Sequence, residues 1–510
     1  MSKYLEHDGV VQYLGVRYAD LENGFAEAQM RKYTDLDSID ATVHGPSAIS
    51  PPQACELEHS LIQKSLPMTD FPQSDTLCLN LNITAPAGIE RTSSKLPVFV
   101  FIHGGGYSIG SNAWPQYDQT RIVKLSSDLG RPVIGVGINY RLGPFGFMLS
   151  KEMQDYGFHA NNGLVDQQVA LLWTREHISL FGGDPNRVTC VGESAGAIST
   201  MHQLQMSPKS PPFQQCISMG GNPLMMKPLP DFVAEGVYRG VINSLGLEKL
   251  SASERKSALL SMPAAELLSR LPPGLPFLPV QDGRTICESF TFLRVKSGSE
   301  LTQSTATRIL IGTCDMDSSV LGVLFAPKQR NCLKRFAGIL KEIIPHDASE
   351  VMKTYGIKED MSDADAWLPI LKFATDINFH APARVYASAW SSDAYLYRFR
   401  EPNPWTGAWE GYASHVLDVA YLFLNYTEDL TPSRAEIARE FAADFITFIN
   451  GEAPFKRVKE EPAFIKEYLS TEGRASMLAA QDESYDTRMA LMSRVGYDSL
   501  LDVWAQFMSR

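Results

Sequence analysis

The sequence predicts an α/β fold in which a large, mostly parallel sheet is flanked by helices. Short continuous apolar runs, among them Leu96–Ile102 and Pro132–Ile138, are typical of strands that are buried on both faces. Segments of helical periodicity, such as Asn162–Phe181, lie between these runs. Strands that alternate with helices favour parallel pairing, because each crossover helix returns the chain to the same edge of the sheet.

The other predicted elements are taken in chain order. Two β-prone pieces, Val10–Leu14 and Val16–Tyr18, predict a small N-terminal antiparallel sheet. Ala435–Asn450 predicts an amphipathic helix, and Leu245–Leu271 is expected to form helices or loops. Further strands are expected at Leu77–Thr84, in the run that starts at Arg187, and at Phe213–Met219, Arg308–Gly312 and Ala394–Phe399. No repeat or linker divides the chain, so we expect one domain, residues 1–510, with loop and helical insertions.

The composition excludes several kinds of partner. The chain has 46 Lys and Arg against 58 Asp and Glu, which gives a net charge of −12. An acidic chain without basic clusters is not expected to bind nucleic acid. No apolar run approaches the length of a membrane span, and from the terminal residues we expect neither a signal peptide nor a lipidation site.

The cysteines indicate a reducing environment. The seven are scattered and odd in number, and no C-x-x-C spacing occurs, so neither a disulfide framework nor a zinc site is predicted. We therefore expect a cytoplasmic protein. Glycosylation sequons begin at Asn82 and Asn425, but chance explains two in a chain of this length, and glycosylation and oligomeric state both stay open.

A strand, a tight turn and a helix start follow one another between Arg187 and Ser199. The turn G-E-S-A-G, residues 192–196, has the G-x-S-x-G pattern of a nucleophile elbow. Such a turn would project the Ser194 hydroxyl above the sheet edge. The N–H of Ala195, at a helix N-terminus, would face a developing negative charge.

A glycine cluster, His103–Gly106, directly follows the strand predicted at Leu96–Ile102. Glycines allow backbone N–H groups to point into a site and hold an oxyanion, and each such donor is worth about 3 kcal/mol in a transition state. Neither G-x-G-x-x-G nor G-x-x-x-x-G-K-[ST] occurs there, so the cluster does not predict a phosphate-binding loop.

A serine nucleophile needs a base to take its proton, and in this kind of fold the partners follow in the order serine, acid, histidine. Of the ten histidines, His346, His380 and His415 come late enough. His415 lies in a loop rich in glycine and tryptophan, where a base can reach the serine. We expect the other two to be helix-cap or core residues.

The acid is expected just past the end of a strand, where a buried carboxylate can orient the imidazole. Two aspartates, Asp315 and Asp317, follow the strand predicted at Arg308–Gly312. The pattern of residues does not choose between them.

Together these motifs resemble the type-B carboxylesterase/lipase family, which includes cholinesterases, fungal lipases of that type and p-nitrobenzyl esterases. The resemblance spans nearly the whole chain and suggests a fungal-type intracellular member with an α/β-hydrolase fold. It rests on these stretches: Gly15–Ala19, Ser74–Asn80, His103–Tyr107, Asn139–Gly143, Asn162–Leu164, Asp166–Gln167, Phe181–Pro185, Gly192–Gly196, Pro279–Gly283 and His415–Phe423.

The resemblance implies the roles of the site residues. Ser194 would be the nucleophile, His415 the base and Asp317 the acid, at a position where the family more often has glutamate. The oxyanion donors would be the backbone N–H groups of Gly105, Gly106 and Ala195. Two further carboxyl groups, those of Glu193 and Asp418, match buried acids of the family.

The substrate pocket is expected near the segment that corresponds to the family's acyl pocket. The family's usual S-G-S near the acyl pocket is G-G-N here, residues 220–222, and methionines flank it. Methionine fills adaptable apolar pockets, although it is more often plain core. The predicted pocket residues are Tyr107, Trp114, Met219, Asn222, Met225 and Met226.

The predicted function is hydrolysis of a small carboxylic ester through an acyl-enzyme, without a metal or organic cofactor. One alternative keeps the acyl-enzyme and changes the acceptor, as in an acyltransferase, a lactonising enzyme or a thioester-cleaving enzyme. Another alternative is a non-catalytic interaction protein, but such relatives usually lack the nucleophile. The sequence does not identify the acyl group or the alcohol.

Overall fold

The computed structural model describes residues 3–35, 40–90, 93, 95–206, 211–298, 306–474 and 485–510. Within them, ten strands form a large sheet in the order β1-β2-β5-β7-β6-β8-β9-β10-β11-β12, and β3 and β4 form a second sheet. The strands are β1 Leu5–His7, β2 Val10–Arg17, β3 Ala19–Asp20, β4 Gln29–Met30, β5 Asn80–Pro86, β6 Leu96–Ile102, β7 Ile134–Ile138, β8 Gly183–Glu193, β9 Gln215–Met219, β10 Arg308–Cys314, β11 Asp393–Phe399 and β12 Lys466–Tyr468.

The large sheet is mixed and mostly parallel, which confirms the predicted fold class. The pairs β1–β2, β2–β5 and β5–β7 are antiparallel. The pairs from β7 through β6, β8, β9, β10 and β11 to β12 are all parallel. The predicted small antiparallel sheet is present as β3 with β4.

The two N-terminal β-prone pieces lie in the large sheet instead. Strand β2, Val10–Arg17, covers nearly all of both pieces and pairs with β5. Its register with β5 shifts between Tyr13 and Val16, and six of its eight residues are buried. Since its apolar side chains need a covered surface, pairing with the central sheet buries more of them than a separate small sheet would.

Helices cover both faces of the large sheet. The α-helices are α1 Ala54–Ile62, α2 Thr120–Asp128, α3 Gly143–Phe147, α4 Lys151–Asp155, α5 Asn162–His177, α6 Ala195–Met206, α7 Asp231–Leu245, α8 Ala252–Ser261, α9 Ala264–Arg270, α10 Phe292–Ser297, α11 Ser319–Leu324, α12 Cys332–Ile343, α13 Ala348–Thr354, α14 Asp363–Thr375, α15 Ala381–Ala389, α16 Leu417–Leu422, α17 Pro432–Ile449, α18 Tyr485–Val495 and α19 Tyr497–Ser509. None of the helices described combines the length and apolar composition that crossing a bilayer requires.

Alternate residues of β6 pack on opposite faces of the sheet. Val98, Val100 and Ile102 belong to one buried cluster, and Phe99 and Phe101 belong to another. Successive strand side chains point to opposite faces, so a strand that is apolar at every position is stable only where both faces are covered. This explains why the strand is a continuous apolar run in the sequence.

The carboxyl ends of the central parallel strands meet at one edge. In the registered pairs, Ile102 of β6 lies beside Gly192 of β8, and Gly192 lies beside Ser218 of β9. On the other side of β9, Met219 pairs with Gly312 of β10. The segments that follow these strands therefore leave the sheet next to one another, which is where a site can form.

Candidate active site

The nucleophile turn joins the end of β8 to the start of α6. Ser194 at its apex has φ of 54°, a left-handed conformation that costs a residue with a side chain about 1–3 kcal/mol. Its N–H donates to the carbonyl of Met219 at 2.8 Å, which helps to hold the turn. A methyl group at Gly196 would lie 2.0 Å from the carbonyl oxygen of Ile102, so the close approach of α6 to β6 requires glycine there.

His415 lies directly against the serine. Its Nε2 atom is 2.9 Å from Oγ of Ser194, and its ring is buried. The loop that carries it is tied to the loop after β10, because the N–H of His415 donates to Oγ of Ser319 at 2.8 Å and the N–H of Met316 donates to the carbonyl of Ala413 at 2.9 Å. The position of the imidazole is thus set by backbone contacts as well as by its own ring.

Asp317 is the aspartate that contacts the imidazole. Its Oδ1 atom lies 2.8 Å from Nδ1 of His415, and its Oδ2 atom accepts the backbone N–H of Cys314 at 2.7 Å. The carboxyl group is fully buried. With Nδ1–H donating to Asp317, Nε2 of the ring is free to accept the proton of the Ser194 hydroxyl.

Asp315 faces away from the histidine and forms ion pairs with two arginines. Its Oδ1 atom accepts a hydrogen bond from the guanidinium of Arg398, and its Oδ2 atom accepts one from Nε–H of Arg400 at 3.1 Å. Burial alone would raise the pKa of the Asp315 carboxyl, but the charges of Arg398 and Arg400 lower it to about 2. The choice that the sequence left open thus has a geometric answer, since the structure brings Asp317 and not Asp315 to His415.

The other two late histidines lie elsewhere. His346 is exposed in the turn before α13. His380 is buried, with Nδ1 2.8 Å from Oδ1 of Asp376 and Nε2 3.2 Å from the carbonyl of Cys314. His380 therefore contacts the last residue of β10, and its two ring nitrogens are engaged with groups other than Ser194.

The glycine loop after β6 packs against the nucleophile. A methyl group at Gly104 would lie 2.3 Å from Oε2 of Glu193 and 2.9 Å from Cβ of Ser194, so only glycine allows this approach. Gly105 and Gly106 follow with φ of 91° and 58°. His103 at the start of the loop stacks its ring on Tyr140. Burial lowers the pKa of His103 to about 4, so its ring is neutral at pH 7.

Ala195, the third expected oxyanion donor, is the first residue of α6. The first four N–H groups of a helix have no partner within the helix, and they carry a partial positive charge. Helix α6 thus begins directly after Ser194, and the glycine loop packs against the same serine at Gly104. The roles of Gly105, Gly106 and Ala195 as oxyanion donors stay a prediction.

Of the two additional acids, Glu193 lies beside the imidazole, and Asp418 interacts with it electrostatically. Oε1 of Glu193 is 3.4 Å from Nε2 of His415. Burial, followed by the charges of Glu58, Asp418 and Asp317, raises the pKa of Glu193 well above its usual range. Asp418 accepts the hydroxyl of Tyr397 at 2.8 Å, and burial together with Asp317 raises its pKa to about 6.

Two of the expected pocket residues are core side chains. Tyr107 is fully buried with φ of 61°, and its hydroxyl accepts a hydrogen bond from Ser199 at 3.3 Å. Trp114 stacks on Tyr117 and lines a cavity of about 180 Å³, whose walls include Gln12 and His44 but not Ser194.

The expected pocket residues in and around the G-G-N segment, residues 220–222, mainly contact other parts of the protein interior. Met219 is fully buried, and its carbonyl accepts the N–H of Ser194. Asn222 donates to the carbonyl of Asn378 at 2.7 Å, and its Oδ1 atom caps the N–H groups of Leu224 and Met225. Met225 and Met226 are half-buried against the main core. Asn222 also lines a small cavity with Gly221 and Phe379, close to His415.

The amide nitrogens of both sequon asparagines are already engaged. The Asn82 side chain is buried in β5 and donates to Asn112 and His44. The Asn425 side chain donates to the carbonyls of Pro115, Gln116 and Asp118. These bonds use the nitrogen that a glycan would need, and those of Asn425 anchor the loop between the glycine cluster and α2.

Sequence reasoning missed a buried carboxyl group, that of Glu58 on α1. Its Oε1 atom accepts Nε2–H of Gln116 at 2.9 Å and the hydroxyl of Tyr117. A signal was available, because Glu58 is spaced with Ala54, Cys55 and Ile62 on the buried face of a short helix. A charge on an apolar face indicates a partner or a site.

The arrangement supports proton transfer from a serine hydroxyl. A buried carboxylate orients an imidazole, the imidazole contacts the hydroxyl, and the residue after the nucleophile begins a helix. Among the residues described, no group of three or more His, Cys, Asp or Glu side chains is placed to hold a metal ion. The chemistry that these contacts allow is nucleophilic attack on an acyl carbon.

Comparison with known proteins gives one consistent result. The carboxylesterase family model matches residues 2–489. The chain is 29% identical over 492 residues to a para-nitrobenzyl esterase of Bacillus subtilis (strain 168), and the match covers 91% of each chain. It is 28% identical over 482 residues to a bile salt-activated lipase of Rattus norvegicus, which covers 83% of this chain and 76% of the relative. A solved PNB esterase structure superposes with a TM-score of 0.68 at 26% identity over 93% of this chain and 97% of that one.

Proposed function

This chain belongs to the carboxylesterase family, and we propose that it hydrolyses small carboxylic esters through a covalent acyl-enzyme on Ser194. The observation that carries the proposal is the hydrogen-bonded series from Ser194 through His415 to Asp317. Such a series turns a weak hydroxyl nucleophile into a reactive one, because the base takes the proton as the bond to carbon forms.

In the acylation step, Oγ of Ser194 attacks the ester carbonyl while Nε2 of His415 takes the hydroxyl proton. Asp317 stabilises the imidazolium that results. The carbonyl oxygen becomes an oxyanion, which accepts hydrogen bonds from the N–H groups of Gly105, Gly106 and Ala195. Each donor is expected to contribute about 3 kcal/mol to the transition state.

The tetrahedral intermediate then expels the alcohol, which takes the proton from His415. In the deacylation step, His415 takes a proton from water, and the hydroxide attacks the acyl carbon. Collapse releases the carboxylic acid, and the proton returns to Oγ of Ser194. No metal or organic cofactor takes part in this scheme.

The test is active-site labelling with a fluorophosphonate, followed by peptide mapping. The reagent should label Ser194 alone and abolish hydrolysis of short p-nitrophenyl esters. Ser194→Ala should lose both labelling and turnover, whereas Ser257→Ala, an exposed serine on α8, should keep both. Full ester turnover after complete labelling of Ser194 would disprove the proposal.

The acyl acceptor is identified by adding a competing nucleophile and measuring which product forms. Water, an alcohol and a thiol all attack the same acyl-enzyme, so only the products distinguish a hydrolase from an acyltransferase. We expect the free acid to be the main product when a short alcohol is added at millimolar concentration. Predominant transfer to the alcohol would favour the acyltransferase alternative.

The fungal-type origin and the cytoplasmic location stay predictions. All seven cysteines are free, and six of them are buried. Unpaired thiols fit a reducing compartment, where disulfides are rare. Fractionation of the source cells with an antibody to the protein is the appropriate measurement, and a signal in the medium alone would contradict the prediction.

A further inference from the structure

The helical segment between α14 and α15 contains a wide, π-helical turn, Asp376–His380. Its cause is local, because Pro382 has no N–H to donate to the carbonyl of Asn378, four residues earlier. The side chain of Asn222 donates to that carbonyl instead, at 2.7 Å. Turns of this kind are rare, and they occur frequently at functional sites.

This turn contacts the chain before and after Asp317, the acid of the proposed mechanism. Nε2 of His380 lies 3.2 Å from the carbonyl oxygen of Cys314. The N–H of Cys314 in turn donates to Oδ2 of Asp317 at 2.7 Å. Thr375, the residue before the turn, accepts the N–H of Ser318 at 3.1 Å through its hydroxyl oxygen. One helical segment thus holds the backbone on both sides of the acid.

Both ring nitrogens of His380 face oxygen atoms. The residue is 1% exposed, Nε2 faces the carbonyl of Cys314, and Nδ1 lies 2.8 Å from Oδ1 of Asp376. A carbonyl oxygen can only accept a hydrogen bond, so Nε2 carries a hydrogen. If Asp376 is protonated, Nδ1 accepts the hydrogen of the carboxyl group. If Asp376 is ionised, Nδ1 must carry a hydrogen of its own.

The surroundings of Asp376 favour the ionised carboxylate. Its Oδ2 atom accepts the hydroxyl of Tyr355 at 2.6 Å and Nε–H of Arg488 at 2.7 Å. Burial by itself would raise the pKa of the Asp376 carboxyl group, but the charge of Arg488, the contact with the imidazole and the hydroxyl of Tyr355 lower it. With a carboxylate opposite Nδ1 and a carbonyl opposite Nε2, the ring of His380 has a hydrogen on each nitrogen and is an imidazolium.

The other groups around this ring come from several elements. Those of the described chain that face the ring or act on it electrostatically are Cys314 of β10, Asp315 of the turn after β10, Tyr355 of α13, Asp376 of the π-helical turn, and Tyr485 and Arg488 of α18. The charge of Asp315 is offset by two arginines, and that of Asp376 by Arg488. The two oxygen atoms in contact with the ring therefore decide its state, since a bare nitrogen beside either one would leave lone pairs facing each other in a buried site.

We propose that His380 is a buried imidazolium whose two N–H groups join Asp376 to the carbonyl of Cys314. It is thereby a positioning residue for Asp317, and the inference rests on the proposed function, since it concerns the acid of that mechanism. The two bonds of the imidazolium fix the end of β10. The N–H of Cys314 then holds Oδ2 of Asp317, while Oδ1 contacts His415.

Nitrogen-15 NMR of the whole chain, labelled in its histidine rings, tests the protonation state. The spectrum is recorded at about pH 7.5, where an isolated histidine is mostly neutral because its pKa is about 6.5. The chain has 10 histidines, and the signals that disappear in His380→Gln or in His380→Asn identify the ring in question. We expect a hydrogen on both of its nitrogens. One bare ring nitrogen would overturn the inference.

The same two substitutions test the positioning role, because each keeps one of the two bonds. The amide nitrogen of glutamine extends as far as Nε2, so His380→Gln retains a donor for the carbonyl of Cys314. Asparagine extends only as far as Nδ1, so His380→Asn retains a donor for Asp376 and loses the bond to Cys314. We expect His380→Asn to lower kcat about 10- to 100-fold with KM within about twofold, because a slightly displaced catalytic group slows the chemical step and not binding. His380→Gln should keep kcat within about fivefold of the wild type.

His346→Asn, in an exposed turn, is the matched control and should keep the wild-type kcat and KM. A purely structural histidine predicts equal kcat in the two His380 variants, and that result, or a larger loss in His380→Gln, would overturn the positioning role. If His380→Asn does not fold, the NMR spectrum of the wild type still decides the protonation state, with His380→Gln as the reference. Absence of ester hydrolysis in the wild type would refute the proposed function, whereas the NMR result does not depend on turnover.

Discussion

The Nδ1 atom of His415 lies 2.8 Å from Oδ1 of Asp317, although 98 residues separate the two in the sequence. Asp315 stands only two positions earlier, yet it pairs with Arg398 and Arg400. The two aspartates of the turn after β10 thus contact different partners. One orients the base, and the other joins two strands through buried charge pairs.

Substitution of the two aspartates should separate these roles. Asp317→Asn should lower kcat by about 10⁴-fold, because an amide does not hold the imidazole in the required tautomer. Asp315→Asn should change kcat by less than about tenfold, since it does not contact the histidine. Steady-state hydrolysis of a p-nitrophenyl ester measures both. The opposite ranking would mean that the acid is assigned two positions too late.

For stability we expect the opposite order, with Asp315→Asn less stable than Asp317→Asn. Asp315→Asn removes the buried partner of Arg398 and Arg400 and leaves them the exposed carboxylate of Glu467, which is expected to cost about 3 kcal/mol. Urea unfolding monitored by circular dichroism gives the free energy of unfolding. Equal stability of Asp315→Asn and the wild type would show that the arginines find compensation elsewhere.

Gly196→Ala should damage both the fold and the activity. The added methyl group would lie 2.0 Å from the carbonyl oxygen of Ile102, and since that atom is backbone the elbow must shift. We expect a loss of about 1–3 kcal/mol in the free energy of unfolding. Gly236→Ala, inside α7 with nothing within 4 Å of the new methyl group, is the control. It should be neutral or stabilising by up to about 1 kcal/mol.

The buried pair of Arg141 and Asp166 should be essential for stability. Arg141 is 1% exposed on its side chain and makes a two-pronged contact with Asp166, with bonds of 2.8 and 2.7 Å. Arg141→Met should cost about 3–5 kcal/mol, because it leaves an unpaired buried carboxylate. Lys151→Met, which breaks an exposed pair with Asp155, should cost less than about 1 kcal/mol. Equal costs in urea unfolding would contradict the argument.

Asp418 should make stability depend on pH. Burial and the Asp317 carboxylate raise the pKa of Asp418 to about 6 in the folded protein, whereas the unfolded value is about 4. The stability that Asp418 contributes is therefore fully present below about pH 4 and is lost as the pH rises through 6.

Asp418→Asn removes this dependence while keeping an acceptor for Tyr397. The free energy of unfolding of the variant, minus that of the wild type, should increase between about pH 4 and 6 and then stay constant. Urea unfolding at intervals of half a pH unit measures the difference. Asp128→Asn, an exposed aspartate at the end of α2, should show no such increase. A flat difference for Asp418→Asn would contradict the raised pKa.

Much of the fold could be predicted because its signals are local. A strand buried on both faces is apolar at every position, as in β6, and the elbow needs small residues at fixed spacing around Ser194. The order of serine, acid and histidine narrowed the base to three residues, and loop composition favoured His415. The observed strand ends differ from the predicted ones by a few residues, and β2 belongs to the large sheet and not to a separate small one. Both differences arise because the pairing partners of a strand depend on the whole fold.

The contacts of individual side chains could not be predicted in the same way. The sequence by itself determined the α/β class, the serine and its glycine loop, since sterics over a few residues dictate them. Only the tertiary structure decided that Asp317 and not Asp315 meets His415, that Trp114 lines a separate cavity, and that Glu58 is buried against Gln116 and Tyr117. The physical reason is that a carboxyl group's role depends on the donors and charges that distant segments bring to it.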